Sequence, residues 1–84
     1  MERTNVYELI DGERDYQDEL NSNGQGRVLT AGEELCLVQT YVDKARQVFA
    51  ETFGDYEERP TMDVIRKIAA LCVRAMENHR TPQR

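Results

Sequence analysis

The run Ile68-Ala-Ala-Leu-Cys-Val73 restricts this chain more than any other feature of its sequence. It lies inside residues 61–79, where Met62, Ile65, Ile68, Cys72, Ala75, Met76 and His79 recur at the spacing of one helix face. Val64, Leu71 and Val73 fall off that stripe, so the middle of the helix is apolar on nearly every side. A helix of this kind has to be surrounded. The chain has 84 residues, which is one domain, 1–84. It leaves room for only two further helices, and two helices do not enclose a third easily. Self-association follows, most simply a symmetric dimer or a higher helical assembly. A well-covered three-helix core is the other solution open to a chain this short.

The companion helices can be placed. Thr30-Ala-Gly-Glu33 is a capping box, in which the Thr hydroxyl takes an orphan amide and the Glu reaches back to the cap amide. Leu29 stands where a hydrophobic staple would. Ala31, Leu35, Val38, Val42, Ala45 and Phe49 then alternate four- and three-residue steps, predicting a helix over 30–53 with Gly54 as its left-handed stop. Pro60 suits the start of the helix over 61–79, because a first-turn residue has no amide to satisfy. The first helix is predicted over about 6–20. Asn5 and Glu8 have capping-box spacing, and Val6, Leu9, Ile10, Tyr16 and Leu20 share a face that Glu13 interrupts. Gly12 costs about 1 kcal/mol against Ala, so the helix could also begin after it. Residues 21–26 are a flexible connector and 55–59 a polar turn. The expected fold is all-α: a short N-terminal helix, then a long antiparallel helical hairpin, in an oligomer.

Charge narrows the partners. The net charge is −5, and residues 1–20 hold all of it, with seven acids against two bases. Phosphate backbones need a basic face, so no nucleic-acid partner is expected. The start Met1-Glu2-Arg3-Thr4-Asn5 has no apolar signal region, and no apolar run is long enough to cross a membrane. Cys36 and Cys72 match no metal-ligand spacing. Both lie among apolar neighbours, and no disulfide between them is expected. A cytoplasmic protein without cofactor or metal is the expectation.

Glu8, Asp11, Asp15 and Asp18 would share one helix face. A solvated acidic surface explains them. The sharper alternative is a Mg²⁺ site, as in all-helical nucleotide pyrophosphohydrolases of the MazG type, which hold the ion with Glu-x-x-Glu pairs on neighbouring helices. Here Glu33 and Glu34 lack acids at i+3, and the carboxylates do not converge. His79 is placed to cap its own helix. Arg66, Lys67 and Arg74 offer a cationic face with small Ala70 between them. Arg14 and Tyr16, with the other tyrosines, could complete a site for a small anionic, nucleotide-type ligand. Pairing of Lys67 and Arg74 with Asp63, Glu77 or the acidic first segment is the plainer expectation for the same residues.

Ile10-Asp-Gly-Glu-Arg-Asp-Tyr-Gln-Asp18 and Ile65-Arg-Lys-Ile-Ala-Ala-Leu-Cys-Val-Arg-Ala-Met-Glu-Asn-His79 resemble small phage and prophage proteins of unknown role, over about a third of the chain. Those proteins commonly carry Gly after the His, where Arg80 stands here. Separately, the short helix plus hairpin is similar in layout to phage anti-CBASS and anti-Thoeris sponges, oligomeric helical proteins that sequester nucleotide immune signals. The resemblance implies a non-enzymatic phage anti-defence protein, acting in the infected bacterial cytoplasm, with Arg14, Tyr16, Arg66, Lys67 and Arg74 at its ligand site. An acidic inhibitor of a basic host defence protein and a divergent MazG-like pyrophosphohydrolase are the alternatives.

Overall fold

The computed structural model describes residues 1–20, 27–53 and 58–84. The described residues form three α-helices and no strand: α1 (Arg3–Leu20), α2 (Ala31–Thr52) and α3 (Arg59–His79). No helix among them is long and apolar enough to cross a membrane.

The start of α2 is built as its sequence predicts. Thr30 Oγ1 accepts from the Glu33 amide at 3.2 Å, and a Glu33 carboxylate oxygen accepts from the Thr30 amide at 3.0 Å. In α3, Pro60 sits in the first turn and Arg59, expected in the preceding turn, is its first residue. The α1 helix begins three residues earlier than expected: the Val6 amide donates to the Glu2 carbonyl at 3.1 Å, which places Asn5 inside the first turn rather than at a cap. The helix runs through Gly12 without a break, and an added Cβ there would meet open space. The glycine therefore weakens α1 without interrupting it. The expected connector 21–26, Gly54 and Tyr56 lie outside the described residues.

Helix α3 is the centre of the molecule. Both α1 and α2 pack on it, and they make no direct contact with each other among the described residues. Helix α3 is thus the one element that the other two share. Glu34, near the start of α2, meets Arg74 late in α3, and Leu29 ahead of α2 meets His79 at the end of α3.

The buried residues follow the apolar stripes only in part: Ala45 is buried and Val38, Val42, Ile68 and Ala75 half-buried, but other positions differ. In α3 the interior is Val64, Ala70 and Leu71, whereas Met62, Ile65, Cys72 and Met76 are exposed. In α2 the inward line is Glu34, Val38, Tyr41, Ala45, Val48 and Thr52, while Leu35 and Phe49 of the predicted stripe point outward, Leu35 at 70% exposure. In α1 the one buried side chain is Glu13, the residue that interrupts the predicted face, and Val6, Leu9, Tyr16 and Leu20 are exposed. The reason is common to all three: α3 offers arginines to its neighbours, and α1 and α2 turn carboxylates toward them. The cysteines follow the same inversion. Both are free and exposed rather than sheltered among apolar neighbours. Beyond α3, Arg80 holds φ at 57°, a conformation that favours glycine.

Candidate functional site

Beside the apolar interior of Val64, Ala70 and Leu71, α3 meets α1 and α2 through charged side chains with named partners. Arg74 grips Glu34 with two hydrogen bonds, Nε to Oε1 at 3.1 Å and Nη2 to Oε2 at 2.8 Å. Glu34 is 1% exposed, so this fork is shielded from water on the carboxylate side. Eight residues earlier, Arg66 donates to buried Glu13 of α1 at 2.9 Å and to Asp63 at 2.6 Å. Lys67 completes the group, with its ammonium 3.3 Å from Asp63. Lys67 first, then Arg66, holds the Asp63 carboxyl below the usual aspartate range.

A second set of pairs closes the far end. Arg14 of α1 donates to Glu77 and to Asp18, each at 2.8 Å. Those carboxylates, Glu77 foremost, raise the Arg14 pKa against a lesser opposing effect of burial. Arg27 pairs with both oxygens of Glu33, and this pairing, helped by the Thr30 amide, lowers the Glu33 carboxyl to about 2. His79 stands in the last turn of α3, as expected, and its Nε2 donates to the Leu29 carbonyl at 2.8 Å.

These residues surround a polar pocket of about 390 Å³, lined by Arg14, Asp18, Arg27, Leu29, Glu34, Leu37, Arg74 and Asn78. Three guanidinium groups from separate parts of the chain therefore converge on one cavity. Of the residues expected at a ligand site, the pocket collects Arg14 and Arg74. Arg66 and Lys67 lie nearer the start of α3, held by Glu13 and Asp63, and exposed Tyr16 does not line the cavity. Tyr41 takes part in a different contact, with the Lys44 ammonium 5.8 Å from its ring centre. The expected pairing of Lys67 with Asp63 is present, whereas Arg74 takes Glu34, which sequence reasoning passed over. Its signal was the spacing Glu34, Val38, Tyr41, Ala45, an acid leading a line of otherwise inward residues.

A second cavity is apolar. Between α1 and α3 a groove of about 600 Å³ is lined by Met1, Val6, Leu9, Ile10, Met62, Ile65 and Ala69, with Arg59, Asp63 and Arg66 at its edge. Glu8, Asp11 and Asp15 stand on the outer side of α1, exposed and without an ion pair among the described residues. Among the described residues, no three His, Cys, Asp or Glu side chains converge to hold a metal ion.

No protein-family model matches the chain, and no significant similarity to a curated protein or to a solved structure is found.

Proposed function

We propose that this protein is a non-catalytic binding module that docks through the acidic outer face of α1 on a basic surface of another protein. One observation carries the reading. The cations expected to receive an anionic ligand are held in ion pairs inside the chain, while Glu8, Asp11 and Asp15 are left uncompensated at the surface. An uncompensated stripe of one sign steers and selects a partner of the opposite sign. The phage resemblance of segments 10–18 and 65–79 supports a host defence protein as the target, met in the cytoplasm of an infected bacterium. The reading takes α2 and α3 as an antiparallel hairpin, which the Glu34–Arg74 and Leu29–His79 contacts support.

A second reading draws on the polar pocket: an oligomeric scaffold that sequesters a nucleotide-type signal on Arg14, Arg27 and Arg74. A phosphate entering there displaces Asp18, Glu77 and Glu33, carboxylates whose ion pairs lie at the surface and are screened by water. Glu34 would stay with Arg74.

One pair of experiments separates the readings. Affinity capture from bacterial lysate is compared between the natural chain and the Glu8→Gln, Asp11→Asn, Asp15→Asn variant. Docking predicts a basic partner that the variant loses and that high salt releases; equal capture by both forms would sink it. Native mass spectrometry with cyclic dinucleotides and ADP-ribose tests the pocket. Stoichiometric added mass, lost in Arg27→Ala, would favour sequestration instead.

A further inference from the structure

We propose that the apolar face of α3, centred on Met62, Ile65, Ala69, Cys72 and Met76, is covered by the same face of a second copy of this chain in a symmetric dimer. The five residues follow three- and four-residue steps in turn, the spacing of a helix-packing seam. At about 100° per residue they occupy one side of α3, roughly opposite Lys67 and Arg74. Between Thr61 and Met76, Asp63, Lys67 and Arg74 fall on the other side, and Arg66 stands at the edge, about 40° from Met62. Met62, Ile65, Cys72 and Met76 are all exposed.

The neighbouring helices extend the same face. On the α1 flank, Val6 and Leu9 join Met62 and Ile65 in the apolar groove. On α2, Leu37 lines the polar pocket, and Phe49 lies about 120° around the helix from it, beyond the buried Ala45. Phe49 and exposed Phe53, whose rings meet edge-on at 5.6 Å, therefore sit on the side shared with the seam. The three helices are thus paired through charges around Arg74, and apolar and open along the seam.

The surface area says what covers it. The chain exposes 6976 Å². A folded monomer of this mass should expose about 5,200 Å², roughly 1,800 Å² less. The radius of gyration, 14.2 Å, is likewise larger than the about 12 Å of a closed domain this long. Part of that excess lies outside the three helices, and exposed Met62, Ile65 and Met76, with Val6, Leu9, Phe49 and Phe53, contribute its apolar share. A stable dimer needs about 800 Å² from each partner. A second copy is the occupant that this supports: the seam residues carry no charge, Arg59, Asp63 and Arg66 line only the α1 groove beside them, and an apolar face is complementary to itself across a twofold axis. Ala69, small and at the middle of the seam, lets the two α3 helices approach closely where they cross.

The test is sedimentation velocity on the full chain from about 1 to about 100 µM. The natural protein is expected to be a dimer. Ile65→Glu should weaken the dimer at least about tenfold, whereas Tyr7→Glu, at an exposed α1 site outside the groove, should leave it intact. A natural chain that stays monomeric throughout overturns the proposal. So does a folded Ile65→Glu protein that dimerises as before. If Ile65→Glu loses its helical circular dichroism, the two thiols of the natural chain decide instead. Both are exposed in the single chain, but only Cys72 lies on the seam. Cys72 should react with maleimide about tenfold more slowly than Cys36 when the protein is dimeric, and equal reactivity overturns the proposal.

Discussion

On one side of α3, Asp63, Lys67 and Arg74 are tied into ion pairs, Arg74 through a carboxylate on α2. On the other, Met62, Ile65, Ala69, Cys72 and Met76 carry no charge and leave much of their surface to solvent. The paired side assembles the three helices; the apolar side is free for assembly beyond them. Between the two lie Val64, Ala70 and Leu71, the apolar part of the interior. The contrast teaches that helix amphipathicity points at the largest apolar surface a helix must bury, and not necessarily at its neighbours in the same chain. Buried ion pairs contribute little net stability relative to apolar packing, but a carboxylate that misses its arginine is costly. Glu13 meeting Arg66 and Glu34 meeting Arg74 therefore dictate which faces of α1 and α2 turn inward.

The sharpest way to break the contrast is on the paired side. Glu34→Ala strands the Arg74 guanidinium beside a void, and should cost about 3–5 kcal/mol. Urea unfolding would read it, and adding Arg74→Met should restore a large part of the loss. A single variant that unfolds at the natural urea midpoint would show that the fork does not organise the three helices.

The next contrast is between apolar residues on the two sides. Leu71→Ala empties a buried position and should cost about 2–4 kcal/mol at any protein concentration. Met76→Ala, at a site 53% exposed, should leave the stability of the single chain within about 0.5 kcal/mol of its natural value. Its effect should grow with protein concentration, as the dimer forms. Equal losses for the two in dilute protein would erase the distinction.

Acid gives the smallest effect. The titratable groups held below their ordinary values, Asp63 and Glu33, lie off the seam. A carboxyl whose folded pKa is depressed stabilises the fold above its unfolded pKa, and that contribution is lost as pH falls through the folded value. For Glu33 the window runs from 4.5 down to about 2. An NMR titration should place its midpoint near 2, and Arg27→Ala should raise it, since Arg27 is the main cause.

How much of this was legible in the sequence can be read from single residues. The Thr30–Glu33 box is local, needing one turn of chain, and it is built as read. Glu13 reads as a defect in an apolar face because its partner Arg66 is 53 residues away. Glu34 likewise has no local sign of Arg74, 40 residues on. Of the expected ligand residues, Arg14 and Arg74 share a cavity; Arg27 joins them only because the segment ahead of α2 passes the end of α3.

By itself, the sequence determined three helices, the capped start of α2, the acidity of the first segment and an over-apolar α3, since periodicity, caps and charge are properties of neighbouring residues. Only the tertiary structure decided which side of each helix faces inward. Each helix leaves large apolar side chains outside these contacts, so the choice fell to long-range pairs of charges, whose cost when unmatched depends on where the chain brings them in space.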